Sequence, residues 1–368
     1  MHLLTTTRDA LLAPLQSVAG IVEKRHTLPI LSNVLIEKRG EQLTMLATDI
    51  EIQIRTTTAS DLGGEDASLT VAARKLQDIL RALPEGVDIH LTLDDKRLTV
   101  KAGKSRFALQ TLPATDYPRM NLPEEGSACF SVSQKAFKRQ LAQASYSMAQ
   151  QDIRYYLNGL LMVVDGAELR MAATDGHRLA FATSPLETTL EHAEVILPRK
   201  TVLELSRQLA DTDDLLEITL AGNQAIFRFG ATEFVTKLID GKFPDYERVI
   251  PQGHPKLAKI QRAPLLSALQ RVAILTNEKF RGVRLVFDNG SLRISSSNSE
   301  QEEAVEELEI DFNGEGADIG FNVTYLLDVL NNVSDDIIEW RFNDGNSSAL
   351  LTLPGNDSFK YVVMPMRI

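Results

Sequence analysis

The chain says the same thing three times. Arg74-Lys75 opens an amphipathic run over residues 73–86; 125 residues on, Arg199-Lys200 opens a run of equal length over 198–211. A further 125 residues on, Thr324-Tyr325 sits inside a third, over 322–336. Each run has the Leu/Ile stripe of a helix, and each is followed by strand-like segments, at 89–100, 216–229 and 337–353. Another helical run precedes each, at 9–22, 134–148 and 263–275, and a strand pair fills the space between, at 31–49, 157–175 and 282–299. A period this long exceeds any solenoid unit; it is the period of a domain. A chain of 368 residues has room for three such domains, each with its own core.

The repeat has the expected order β-α-β-β-β-α-β-β-β. Its first helix carries an i, i+3, i+4 stripe, as at Leu11, Leu12, Leu15 and Val18. Its strands alternate, as at Ile89, Leu91 and Leu93, and tight turns at Asp165-Gly166, Asp288-Asn289-Gly290 and Asn343-Asp344-Gly345 imply antiparallel pairing. Antiparallel sheet with helices gathered on one face is an α+β domain. Pro-rich polar stretches at 112–127 and 243–256 mark the linkers, which gives domains over 1–120, 128–250 and 251–368.

Cys129 is the sole cysteine, so no intramolecular disulfide can form and no zinc spacing exists. The N-terminus has no signal-peptide pattern and no apolar run reaches membrane-spanning length, so a cytoplasmic protein without a membrane partner is expected. The formal charge of −11 argues against a protein that coats nucleic acid. The charge is nevertheless segregated. Cations collect on the helices and their ends, while the acidic excess lies in strands and loops such as 124–126, 211–214 and 299–309. Either the helices line one basic surface, or their cations are ordinary solvated side chains. Asp175 and His177 in the run ATDGHRLA could serve acid–base chemistry, but the other repeats read ATDIEIQ and SSNSEQE at the same place. No Ser, Cys or second His stands at a usable spacing. No phosphate-binding G-x-x-x-x-G-K-[ST] loop occurs, and no cofactor is expected.

The runs HTLPILSNVLI (26–36), QQDIRYYLNGLL (150–161), ATDGHRLA (173–180), DGKFPDYERVIP (240–251), AILTNEKFRGVRL (273–285), GFNVTYLLDVLN (320–331) and YVVMPMRI (361–368) resemble the bacterial DNA sliding clamp, the β subunit of DNA polymerase III. The resemblance runs from the first helix to the last residue. It implies a head-to-tail homodimer closed into a ring of six domains, with helices lining the hole, sheets outside and duplex DNA threaded through without sequence preference. A nucleoid-associated location follows from that. It implies Arg25, Arg74, Lys75, Arg199, Lys200 and Arg284 as cations facing DNA, with Gln151, Arg154, Tyr155 and Tyr156 near the rim. Core packing with a satisfied hydroxyl stays open for both tyrosines.

The same resemblance implies a partner-binding groove between the second and third domains. Leu157, Thr174, Gly176, His177, Arg178, Leu179, Pro244, Arg248 and Val249 would line it. Asn322, Tyr325 and Ser348 would stand nearby, and the tail Val362, Val363, Met364, Pro365, Met366 and Arg367 would close it. A Met-rich wall suits several partners. Those implied are the polymerase III catalytic subunit, a clamp loader, and other polymerases and repair proteins carrying a short Gln/Leu/Phe-type motif. Relative to the family, Asn346 replaces a commonly apolar residue, Ile368 a terminal Leu and Lys242 an Arg. Ring closure would join Lys104, Arg106, Phe107 and Leu109, on the strand at 104–112, to Ile274, Leu275, Glu300, Glu302 and Glu303 of the partner. Two other classes stay open: a trimodular scaffold that never encircles DNA, and a hydrolase using Asp175 and His177.

Overall fold

The computed structural model describes residues 1–23, 28–59, 63–123 and 128–368. The first repeat runs β1 (His2–Thr7), α1 (Arg8–Ala19), β2 (Asn33–Arg39), β3 (Gln42–Thr48), β4 (Ile52–Ala59), β5 (Ala67–Ala72), α2 (Ala73–Ala82), β6 (Asp88–Asp94), β7 (Arg97–Ala102) and β8 (Ser105–Pro113). The second runs β9 (Ala128–Ser133), α3 (Gln134–Ala144), β10 (Gly159–Thr174), β11 (Arg178–Pro198), α4 (Arg199–Gln208), β12 (Leu215–Ala221), β13 (Gln224–Phe229) and β14 (Thr232–Lys237). The third runs β15 (Lys256–Gln261), α5 (Arg262–Val272), β16 (Gly282–Asp288), β17 (Ser291–Ser297), β18 (Glu303–Glu309), β19 (Ala317–Asn322), α6 (Val323–Asn332), β20 (Ile337–Phe342), β21 (Ala349–Leu353) and β22 (Asn356–Val363).

The helices follow from local sequence. Thr7 caps α1 by accepting the Ala10 N–H, and Leu11, Leu12, Leu15 and Val18 are its buried stripe. In α2 the buried residues are Ala73, Leu76 and Leu80, which leaves Arg74 and Lys75 outside. Asn322 caps α6 by accepting the Thr324 N–H at 2.9 Å.

Between the helices the structure has four strands, one more than the sequence order predicts. β2 pairs with both β3 and β5, and β3 with β4. The third repeat copies this: β16 pairs with β17 and β19, and β17 with β18. In the second repeat the four strands run together as two. Gly159 to Val164 pairs with Ala193 to Pro198, and Glu168 to Thr174 with Leu179 to Pro185. The register breaks around Gly166, at φ +59.

The chain divides into two compact units, Met1–Lys135 with Arg207–Leu238 and Ala136–Ser206 with Ile239–Ile368. This boundary passes through the second repeat because strands pair across repeats. In the first unit, β4 pairs with β14 inside a twelve-stranded sheet. In the second, β11 pairs with β22 inside a six-stranded sheet, beside a four-stranded sheet ordered β18-β17-β16-β19. Trp340, Phe287, Phe321 and Phe342 pack together in the core of the third repeat. Among the described residues no helix is long and apolar enough to cross a membrane.

Candidate functional site

The β11–β22 pairing sets Arg178 opposite Val363, Leu179 opposite Val362, Ala180 opposite Tyr361 and Phe181 opposite Lys360. Strand side chains alternate between faces, so the groove candidates separate into two groups. On one face Leu157, Leu179 and Val362 are buried in an apolar cluster with Leu161, Phe181, Phe243 and Leu350, and Tyr156, Tyr246 and Ile250 pack against it half-buried. Tyr246 stacks on Phe181 at 5.6 Å. Pro244, Arg248 and Val249 follow Phe243 as exposed residues, Arg248 holding Asp245 at 2.8 Å. The buried leucines and valine are core, and the surface over them, beside the exposed 244–249 segment, is the candidate apolar pit.

The other face is polar. The Arg178 guanidinium donates to Asp175 Oδ2 at 3.0 Å, Asp328 Oδ2 at 2.6 Å and the Tyr146 carbonyl at 2.7 Å, and lies 4.4 Å from the centre of the Tyr325 ring. Burial works against its charge, but Tyr361, Asp328 and Asp175 outweigh burial and raise its pKa. Burial also pushes the Tyr146, Tyr325 and Tyr361 hydroxyls up. Around Arg178 is a hollow of 610 Å³ bordered by Arg154, Asp175, His177, Arg199 and Tyr325.

The 174–178 turn joins the two faces. Thr174 Oγ1 donates to the Arg178 carbonyl at 2.6 Å and accepts the Gly176 N–H; Asp175 Oδ1 accepts the N–H groups of His177 and Arg178. The Asp175 carboxylate is thus committed to the turn and to Arg178. The His177 ring stacks on Tyr325 at 6.5 Å. Asp49 makes the matching bonds to Glu51 and Ile52 in the first repeat. A carboxylate that holds the same turn in two repeats is a structural cap, and the hydrolase reading loses its base.

The tail does two things. Met364, 49% exposed, donates its N–H to the His177 carbonyl at 2.9 Å and so stays beside the turn. Met366 donates to the Gly320 carbonyl at 2.8 Å, and Met366 and Arg367 border a separate hollow with Arg284, Arg293 and Asp318. These two residues lie on the four-stranded sheet, apart from the apolar cluster. Asn322 is occupied in capping α6, and the Ser348 carbonyl bonds the His254 ring at 2.9 Å. The Asn346 N–H is held by Asp344 Oδ1 in an exposed loop.

The candidate cations also separate. Arg25 lies outside the described residues. Arg74 and Lys75 are exposed on α2, Arg74 reaching the Val22 carbonyl at 2.7 Å. Arg199 and Lys200 open α4 half-buried; burial, and then Arg178, lower the Arg199 pKa. Arg284 is different. It alternates with buried Val283 and Leu285 on β16 and faces away from α5, whose Val272 carbonyl accepts from Ser296 on the opposite face. There Asp318 takes its Nε at 2.8 Å. The bond from Ser296 to α5 fixes which face the helix covers, and Arg284 does not belong with the helix-borne cations.

Near the expected rim, Gln151 sits at φ +54 and Arg154 pairs with Asp152 at 2.9 Å. The Arg154 side chain, and then its N–H, hold the Asp152 carboxyl at about 2. Tyr155 is exposed, whereas Tyr156 packs against the apolar cluster. Ile153, 95% exposed between Asp152 and Arg154, is an additional surface residue that sequence reasoning missed. Its only signal was an isolated apolar residue in a polar run.

Two sheet edges carry the candidate contact residues. β8 pairs with β7 from Ser105 to Gln110, but β5 meets it only at Thr111 to Pro113. Its first part is open on one side, with Lys104 and Arg106 exposed and Phe107 and Leu109 half-buried. β18 ends the four-stranded sheet and bears Glu303, Glu306, Glu307 and Glu309. Asn298 Oδ1 accepts the N–H groups of Glu300 and Glu302 just ahead of it. Ile274 is 77% exposed and Leu275 half-buried.

Comparison with known proteins covers the whole chain. Family models for the DNA polymerase III beta subunit match in order: its N-terminal domain over residues 1–123, its central domain over 131–245 and its C-terminal domain over 247–367. The beta sliding clamp of Pseudomonas aeruginosa is 47% identical, covering 100% of both chains, and that of Escherichia coli K12 is 43% identical, covering 99% of both. A crystal structure of the P. aeruginosa sliding clamp bound to griselimycin superposes with a TM-score of 0.96 at 47% identity, covering 100% of both chains. Three antiparallel clamp domains matched in order and end to end leave one assignment: the chain belongs to the family of bacterial β sliding clamps, the β subunit of DNA polymerase III.

Proposed function

We propose that two copies of this chain close head to tail into a ring around duplex DNA and tether DNA-processing proteins through the apolar pit. The observation that carries this is a joint that recurs. The last strand of the second repeat, β14, pairs with β4 of the first, and the last strand of the third, β22, pairs with β11 of the second. The corresponding pair left over is β8, the last strand of the first repeat, and β18 of the third. The first part of β8 is open on one side, beside Lys104 and Arg106, and β18 is a sheet edge with four glutamates. Two chains related by a twofold axis would set each of these strands against the other's counterpart, cations against carboxylates. Ile274 and Leu275 would pack beside the new strand pair. Domains over 1–120, 128–250 and 251–368 suit this scheme.

The cations on the helices, Arg74, Lys75, Arg199 and Lys200, suit a surface that touches phosphate and reads no base, which is what sliding requires. Partners would be the polymerase III catalytic subunit, a clamp loader, and other polymerases and repair proteins with short Gln/Leu/Phe-type motifs, in the cytoplasm. A linear motif buries little area, and its affinity is expected on the order of micromolar. Loading onto nicked circular DNA tests the reading. The ring should stay on circles and leave when they are cut, and a variant with Ile274→Ala and Leu275→Ala should be a folded monomer that is not retained. Equal retention on open linear DNA would favour the scaffold that never encircles.

A further inference from the structure

Past Val363 the chain is held at two points that belong to different sheets. The Met364 N–H bonds the His177 carbonyl at 2.9 Å and extends the β11–β22 ladder, whereas the Met366 N–H bonds Gly320 on β19 at 2.8 Å. Pro365, with no N–H and a fixed φ, spans the step. β19 is the edge of its sheet, so its outer side can accept a visiting strand.

Glycine within a strand weakens it and commonly marks a close backbone approach. At Gly320 the approach is visible. A Cβ there would stand 2.4 Å from the Met366 carbonyl oxygen and 2.6 Å from Ile368 Cγ1. Gly282, on the neighbouring strand, leaves Ile368 Cγ1 at 3.5 Å and Met366 Cε at 3.7 Å from its own added Cβ. Gly320 pairs with Arg284 and Gly282 with Asn322, so both glycines lie on the face away from the helices and form one notch. The tail crosses it, and Ile368 closes it while keeping 68% of its surface in solvent.

We propose that Gly320, Gly282 and Ile368 form a latch that straps the C-terminal tail onto the four-stranded sheet and thereby positions Met364 at the apolar pit. The positioning consequence rests on the pit being the partner site; the latch itself does not. Met366 to Ile368 then act on binding without touching the pit. Strapping the tail at both ends removes ordering that a partner would otherwise have to impose, and release should weaken binding by about tenfold.

The test uses the full-length ring with ¹³C-methyl-labelled methionine. Gly320→Ala should move the Met366 methyl resonance toward its free-chain position and weaken a fluorescent Gln/Leu/Phe-type peptide about tenfold by anisotropy. Deleting Ile368 alone should act in the same direction and stands in should Gly320→Ala not fold. In chains lacking Met366 to Ile368, adding Gly320→Ala should change neither melting nor peptide affinity, because the clashing atoms are gone. A Met366 methyl unmoved in both variants overturns the latch. A released methyl with unchanged affinity overturns the positioning role. An unsubstituted ring that binds no peptide would remove the pit as partner site, while the methyl resonance still decides the latch.

Discussion

The molecule builds the same joint twice and uses it differently. At the first joint β14 pairs along β4, Ile52 stands opposite Thr236, and the Lys237 N–H bonds the Glu51 carbonyl at 2.9 Å. At the second, β22 pairs along β11, Arg178 stands opposite Val363, and the Met364 N–H bonds the His177 carbonyl at 2.9 Å. The turns match bond for bond, Thr48 and Asp49 in one, Thr174 and Asp175 in the other. What differs is the flanking chemistry. At the first joint a Lys237–Glu51 ion pair at 3.1 Å closes the seam and the chain continues. At the second the chain crosses to Gly320 of another sheet, Met364 is half-exposed, and a buried arginine replaces Ile52. The backbone joint belongs to the fold, and the candidate site belongs to the few positions where the copies diverge.

The largest effect expected follows from Arg178. Its side chain is 9% exposed and it pairs with two carboxylates. Removing one partner of a buried ion pair costs about 3–5 kcal/mol, because the remaining charge is left without compensation. Arg178→Ile, which copies the first joint, should therefore destabilise by about 3 kcal/mol in urea unfolding. Adding Asp328→Leu should recover part of that loss, since it removes one of the two carboxylates left without their cation while Asp175 keeps the N–H groups of its turn. A single substitution costing under about 1 kcal/mol would mean that the Arg178 network is incidental and that the two joints are held alike.

The next effect concerns binding. Met364 occupies the place of Lys237, and Met364→Lys would make the second joint chemically resemble the first. A lysine at the edge of an apolar pit cannot serve as its wall, and loss of one hot-spot contact is worth about 2 kcal/mol, roughly thirtyfold in affinity. Melting should barely move, since the side chain is half in solvent. Peptide anisotropy beside a melting curve checks this. Unchanged affinity would separate Met364 from the partner site.

Much of this was legible in the sequence, and the exceptions have physical causes. The 125-residue period, the two helices of each repeat and the antiparallel strands follow from periodicity. Of the free edge expected at 104–112, the part up to Gln110 is open while Thr111 and Leu112 pair with β5; the acidic run ahead of Leu308 was also visible. The fourth strand between the helices was not, since β4 and β5 carry threonines and a polar connection that break the apolar signal. Arg284 was misplaced because alternation shows that it opposes Val283 and Leu285 but cannot say which face a helix covers. Tyr156 packs against a cluster that gathers Leu179, Phe243 and Val362, residues distant from it in sequence. The tail beyond Val363 reads as one apolar wall, yet the space left by Gly320 and Gly282 carries its end elsewhere, and nothing near 366–368 announces that.

The smallest effect expected lies at the tip of the shared turn, where the competing terms nearly cancel. Ile50 sits at φ +70 and its counterpart Gly176 at φ +90. A β-branched residue in the left-handed region carries roughly 1–2 kcal/mol of strain. Ile50→Gly relieves it, but glycine returns about 0.5–1 kcal/mol through the freer unfolded chain. The side chain, 40% exposed, also gives up about 1 kcal/mol of burial. The net change should fall within about 1 kcal/mol of zero. The reverse move is not symmetric. Gly176→Ala takes on roughly 1–2 kcal/mol of left-handed strain, recovers about 0.5–1 kcal/mol from the stiffer unfolded chain and gains no burial, which leaves a net loss on the order of 1 kcal/mol. Its Cβ would meet Arg154 Nη2 at 3.1 Å, the end of a side chain that can swing away. Urea unfolding of the two variants should thus show Ile50→Gly nearly neutral and Gly176→Ala destabilised. Equal tolerance at both tips would mean that the matched Thr–Asp bonds alone fix the turn, and that glycine stands at 176 to leave room beside Arg154.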